Sequence, residues 1–245
     1  APIIIFGQFA LAKGEWQISP HYGVWTLSPV KSLIEDLIGE ALKSELQKLV
    51  EEYLPPDLDG DYSHIVDFDS SGRNLALELR FYPGGEDGSF SIGLAVEKSQ
   101  LELTLQGSTR YELADGNYVD ASGNARLLLE PISYHLGFRW DIMPSWRLHP
   151  YIGFGAGVGS LNGVITYDDV TAEVYYAPVR ITIPYPDGQL DLTDLLEYLE
   201  YPSIPLIVLQ LNLGFNLEIT NNLYLLLDAG IWDGFLVRGG VCLRV

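Results

Sequence analysis

From Ile204 to Ile219 the chain alternates with a period of two. Ile207, Leu209, Leu211, Leu213, Phe215, Leu217 and Ile219 share one face, while Val208, Gln210, Asn212, Gly214, Asn216 and Glu218 share the other. Side chains alternate across a strand, so this segment has one greasy face and one wet face. A soluble sandwich also alternates, but its wet face usually carries Lys and Glu. Across the strands of this chain the second face instead holds Gly, Asn, His, Arg, Asp and Glu, the filling of a narrow polar interior. The pattern therefore predicts an all-β protein, an eight-stranded antiparallel transmembrane β-barrel whose outer wall touches lipid.

The other strands follow the same rule. Strand one is predicted over about 15–27, with Trp16, Ile18, Tyr22 and Val24 outward. Strand two covers 73–82, with Leu75, Leu77, Leu79 and Phe81 outward, and closes at Pro83-Gly84-Gly85-Glu86-Asp87-Gly88. Strand three starts at Ser89. Strand four ends with Ile132, Tyr134, Leu136, Phe138 and Trp140 outward and turns at Met143-Pro144-Ser145. Strand five, 147–159, sets Ile152, Phe154, Ala156 and Val158 outward over a glycine-rich inner face. Strand six is the run above, strand seven starts at Leu223, and strand eight covers 235–245 after the Asp233-Gly234 hairpin signal. None of the eight chosen outer faces carries a charge. Connections after strands two, four and six are short; those after one, three and five are long. That asymmetry suits short periplasmic turns and long outer loops.

Composition narrows the function classes. No run of about 18 apolar residues exists, so membrane helices are not expected. The net charge of −19 argues against nucleic acid, whose phosphates need clustered Lys and Arg. The single cysteine, Cys242, rules out an intrachain disulfide and reads as a small apolar residue. The start Ala1-Pro2-Ile3 has the look of a mature end after export. One domain is expected over 1–245, with a helical loop insertion at 28–71 and a second long loop with a short helix at 160–203. Val30 to Tyr53 has the apolar spacing of an amphipathic helix, with Ser28 as cap and Pro29 in the first turn. Asp191 to Tyr201 repeats it with Leu192, Leu195, Leu196 and Leu199. Such helices either lie over the barrel mouth as a lid or bind a partner or membrane.

Parity also locates candidate sites. Leu101, Leu103 and Leu105 continue the inward phase of strand three, and Leu127 and Leu129 that of strand four. The upper lumen is thus apolar, either an ordinary core or a pocket for a small hydrophobic molecule. Below it the lumen should hold Glu78, Arg80, Glu97, Arg139, Asp141, Glu218, Asp228 and Arg238, as a salt-bridged plug or a gated polar channel. Asp67-Phe68-Asp69-Ser70-Ser71-Gly72 matches part of a calcium loop, with Asp67, Asp69 and Ser71 as ligands; turn chemistry explains the same residues. Calcium is the one cofactor this pattern suggests. Ser133, His135 and His149 face the lumen, but no nucleophile motif surrounds them, and no enzyme activity is expected.

Leu136-Gly137-Phe138-Arg139-Trp140 followed by His149-Pro150-Tyr151-Ile152-Gly153-Phe154-Gly155-Ala156-Gly157 resembles the small OmpA/OmpW-like bacterial outer-membrane barrels. Leu77-Glu78-Leu79-Arg80-Phe81-Tyr82-Pro83 is similar in kind. The resemblance implies a Gram-negative outer membrane, contact with lipid and lipopolysaccharide, and handling by the barrel assembly machinery, although the chain ends in Val245 rather than an aromatic residue. It also implies porin-like passage of a small hydrophobic molecule. Two functions stay open: binding or uptake of such a molecule through the apolar upper lumen, and a non-transporting structural or surface-interaction barrel with a plugged lumen.

Overall fold

The computed structural model describes residues 14–53, 60–85, 88–113, 115–160, 162–194, 206–232 and 234–245. It is one antiparallel sheet of twelve strands with one long helix. In chain order these are β1 (Glu15–Thr26), α1 (Lys31–Tyr53), β2 (Gly60–Tyr82), β3 (Phe90–Leu113), β4 (Tyr118–Leu129), β5 (Ile132–Asp141), β6 (Leu148–Ser160), β7 (Gly163–Tyr176), β8 (Val179–Pro184), β9 (Gly188–Asp191), β10 (Leu206–Thr220), β11 (Leu223–Trp232) and β12 (Phe235–Arg244). The expected total of eight strands is corrected to twelve. Two physical facts account for the difference. Glu130 and Pro131 interrupt the long fourth strand and divide it into β4 and β5, as the missing proline N–H favours. The long loop over 160–203 contains β7, β8 and β9.

The pairings run β2-β1-β12-β11-β10-β6-β5-β3, and β3 pairs back onto β2 over its whole length. That circuit has no free edge at its lower end. Trp16 N donates to Val245 O at 2.8 Å, extending the β1–β12 pairing beside the short turns. The upper halves of β2 and β3 rise past the circuit. There β3 leaves β5 and pairs with β4, β4 pairs with β7, and β7 pairs with β8 and β9. These strands form a sheet extension. Strand β2 starts at Gly60, not at the expected 73. Residues 60–72 alternate, with Tyr62, Val66, Phe68 and Ser70 on the covered side and the Asp and Ser residues between them exposed.

Helix α1 follows one turn of 3-10 helix at Ser28–Val30. Ser28 is not its cap: Leu27 holds that position, and Ser28 Oγ lies 2.7 Å from Thr26 Oγ1. The helix packs on the upper halves of β2 and β3. Its Glu35 accepts from Phe68 N at 3.0 Å, and Lys31 binds Asp67 at 2.6 Å. Leu46 is buried against the sheet. The rest of the second expected helix, after Asp194, lies outside the described residues, as do Ala1-Pro2-Ile3, Asp57 to Asp59 and Asp233. Among the described residues no helix is long and apolar enough to cross a membrane.

Candidate functional site

The outer wall of the circuit is the first notable surface. Leu75, Leu77, Leu79, Ile92, Leu94, Val96, Leu136, Ile152, Leu209, Leu211, Leu213, Leu225, Val237 and Val241 are all exposed. Aromatic rings cluster at the short-turn end: Trp16 against Phe81 at 4.8 Å, Phe90 against Trp140 at 5.0 Å, and Trp140 against Phe154 at 5.2 Å. Tyr22 and Tyr134 stand exposed toward the other end. Such a band with aromatic borders is what a bilayer selects.

The inside of the circuit is filled in three layers. The middle layer is ionic. Arg238 forks onto Asp228, with Nε to Oδ1 at 2.9 Å and Nη2 to Oδ2 at 2.8 Å, and its Nη1 reaches Glu97 Oε1 at 3.5 Å. Tyr151 donates to Asp228 at 2.7 Å, and Asn74 to Glu97 at 3.0 Å. Arg80 pairs with Glu78 and donates to Ser91 Oγ at 3.2 Å. His135 sits between Ser133 Oγ at 2.7 Å and Gln210 Nε2 at 2.5 Å. Glycines on β6 make room for it. A Cβ at Gly157 would collide with the His135 ring, and one at Gly155 would lie 2.9 Å from Gln210 Oε1. The space left among these groups is about 20 Å³, room for about one water.

The lower layer is aromatic and cationic. The Arg244 guanidinium lies over the rings of Tyr82 and Tyr224, 4.1 and 4.7 Å from their centroids, and that of Arg139 over Tyr151 at 4.5 Å. Arg139 also faces Asp141 at 3.4 Å. Glu218 is half-buried near the Asn221-Asn222 turn. Cys242 is buried here beside Tyr224 and Leu226. The upper layer is apolar: Trp25, Val208 and Leu236 are buried together, and Leu27, Leu101 and Leu103 pack against them.

Of the expected apolar lumen residues, Leu101 and Leu103 thus join the upper layer. Leu129 and Leu127 pair with them across β3 and β4. Leu105 pairs with Ala125 higher up and lines a separate cleft in the extension. Val208 lies on the inward face expected for it, and strict parity puts Trp25 and Leu236 likewise in phase with His21 and Arg238. Asp67, Asp69 and Ser71 lie exposed along one side of β2. Since Gly60–Tyr82 is one continuous strand, the folded loop that a twelve-residue calcium site needs is absent. Among the described residues no group of three or more His, Cys, Asp or Glu side chains is arranged to hold a metal. Ser133 Oγ and Glu97 Oε2 both face the same nitrogen of His135, at 2.7 and 3.7 Å. A nucleophile–base–acid relay uses opposite ring nitrogens.

No protein-family model matches the chain, and no curated protein matches it in sequence. Solved structures similar to it include the translocator domain of the autotransporter NalP from Neisseria meningitidis, at 10% identity, 94% of this chain and 86% of that chain, with a TM-score of 0.20. Another is the transport unit of the autotransporter AIDA-I from Escherichia coli, at 6% identity, 98% of this chain and 92% of that chain, with a TM-score of 0.18. Likenesses this loose carry no argument about fold or function. The resemblance to the eight-stranded OmpA/OmpW-like class gains no support from them.

Proposed function

We propose that the chain is an outer-membrane β-barrel that conducts nothing and anchors a β-sheet extension at the cell surface. The observation that carries this reading is an inversion of polarity along single strands. Below Lys98 the outward side chains of β3 are Ile92, Leu94 and Val96; above it they are Gln100, Glu102, Thr104, Gln106, Ser108 and Arg110. On β2 the outward series changes at Arg73 from leucines to Ser71, Asp69 and Asp67. A strand crossing from hydrocarbon into water changes its outer face in this way. On β10 the apolar outer face from Ile207 to Ile219 is roughly 40 Å of strand at ~3.3 Å per residue. Tilted by about 45°, it spans roughly 28 Å, close to a bilayer core.

The filled interior supports the anchoring role. The pocket among the ionic groups has space for about one water, and the Trp25–Leu103 cluster lies above it. Uptake of a small apolar molecule through the lumen would require all three layers to part. His21, His135, His149 and Ser133 serve in the plug, and we assign them no catalytic role. Lipid, lipopolysaccharide and the barrel assembly machinery are the partners this reading implies.

The test is reconstitution. The purified chain should need an amphiphile to stay monodisperse, give no discrete conductance steps in planar bilayers, and admit no apolar solute into liposomes. Stable monodispersity in plain buffer would overturn the membrane reading. Conductance or solute flux would overturn the plug.

A further inference from the structure

The extension inverts its faces relative to the wall below, and this leaves a cleft. Its outward side is polar and cross-linked: Arg126 to Glu102 at 2.8 Å, Arg110 to Asp120 at 2.7 Å, Tyr118 to Glu173 at 2.7 Å and Asn124 to Asp168 at 2.8 Å. Its other side continues the lumen-facing phase and is apolar. Helix α1 packs on that side mainly over β2 and β3. Among the described residues nothing packs over its β4, β7 and β8 part, and Ile181, Ile183 and Tyr185 are each more than half exposed.

This open half is concave. Register between β4 and β7 shifts at Ser122/Asn124, and Asp169 opposite takes a left-handed backbone with φ 52°. A bulge of this kind bends the sheet, and Tyr185 N bonds back to Val170 O at 2.8 Å to hold the far wall. The floor is built from small residues: Gly107, Ala121, Gly123 and Ala125. Large ones, Leu42 of α1 on one side and Tyr167, Ile183 and Tyr185 on the other, form the walls. The cleft encloses about 430 Å³, within the roughly 300–1,000 Å³ usual for small-molecule sites.

We infer that this cleft is a binding site for an uncharged, largely apolar small molecule. Its charge follows from the lining: none of the described lining residues is an acid or a base, in a chain of net charge −19. An anion would be repelled by the protein as a whole, and a cation would find no counter-ion in the cleft. The inference rests on the reading that the extension stands outside the bilayer, because hydrocarbon would otherwise fill the cleft.

The test uses the full chain in nanodiscs, with neutral 1-aminoanthracene as probe and anionic 1-anilinonaphthalene-8-sulfonate as comparison. Empty nanodiscs give the partitioning background. Saturable one-to-one binding of the neutral probe is expected, with the anion at least about tenfold weaker. Two variants fill the floor. A Cβ at Gly107 would sit in ordinary contact with Leu42, at 3.6 Å, so Gly107→Leu has room to grow into the cleft; Ala125→Phe does the same from β4. Each should weaken the neutral probe by about tenfold or more, while heat-dependent gel migration reports an intact barrel. Probe uptake no greater than in empty discs, or equal in parent and both folded variants, would overturn the site. Binding that falls as the protein dimerises would assign the face to a second copy and overturn it too. Conductance in the parent would sink the plugged-anchor reading while leaving the cleft untouched.

Discussion

The circuit and the extension share strands β2 and β3, yet they present opposite faces to their surroundings. Around the circuit, leucine and valine point out and ions point in. In the extension, ion pairs point out and apolar side chains turn in toward α1 and the cleft. The same covalent alternation serves both, because a strand fixes only that neighbours point to opposite sides. The surrounding medium decides which side is greasy. The contrast teaches that the circuit keeps its charges where nothing can replace their partners, whereas the extension keeps its charges in water.

The largest effect should come from breaking an inner pair. Arg238 is buried with Asp228 and Glu97. Its removal in Arg238→Ala strands two carboxylates where water barely reaches. The expected loss is about 3–5 kcal/mol in urea unfolding from lipid vesicles. A loss below about 1 kcal/mol, the scale of an exposed pair, would show that water reaches the interior, and the contrast between regions would fail.

The second effect tests the outer faces with one residue type. Leu211 is exposed near the middle of β10 between Phe154 and Ile231. Thr104 points outward from β3 beyond the inversion. Leu211→Arg should cost about 2–4 kcal/mol, as arginine does near a bilayer midplane, while Thr104→Arg should stay within about 0.5 kcal/mol. Equal costs at the two positions would place both in the same medium and remove the boundary drawn at Lys98.

Much of the circuit was legible because every strand in it obeys one rule without interruption. Ile18, Leu77, Leu94, Leu136, Phe154, Leu211, Leu227 and Val241 could be phased from sequence, and all are exposed. The paired charges inside followed from the same parity. The extension was hidden for a physical reason. Along β2 its outward residues are Asp and Ser, which are also turn formers, so Asp67-Phe68-Asp69-Ser70-Ser71-Gly72 reads as a loop until Phe68 and Ser70 are seen buried. Strands β7 to β9 are short of leucine and are bent by the bulge at Asp169. Pairing decided the remainder. Nothing local to Leu127 shows that its neighbour beyond β4 is Ile165 of β7 rather than a strand of the circuit.

The smallest effect concerns the rim of the extension, where charges meet water. Glu173 on β7 accepts from Tyr118 at 2.7 Å and from Thr182 at 3.2 Å, with Arg180 at 3.6 Å. The Tyr118 hydroxyl bond, helped by the Arg180 charge, holds its carboxyl below the ordinary carboxylate range. A group depressed on folding contributes stability that is present above its unfolded pKa and lost as pH falls through the folded value. Acidification below the ordinary range should therefore loosen the β4–β7–β8 corner first. Faster amide exchange at Val174 and Ile181 at pH 3 than at pH 6, after correction for intrinsic rates, is the expected signature, with Leu211 and Leu227 unchanged. Glu173→Gln should flatten that difference, because its amide still accepts from Tyr118 but no longer titrates. If the corner loosens equally in Glu173→Gln, another carboxylate of the extension carries the response, and the rim is less finely divided than its hydrogen bonds indicate.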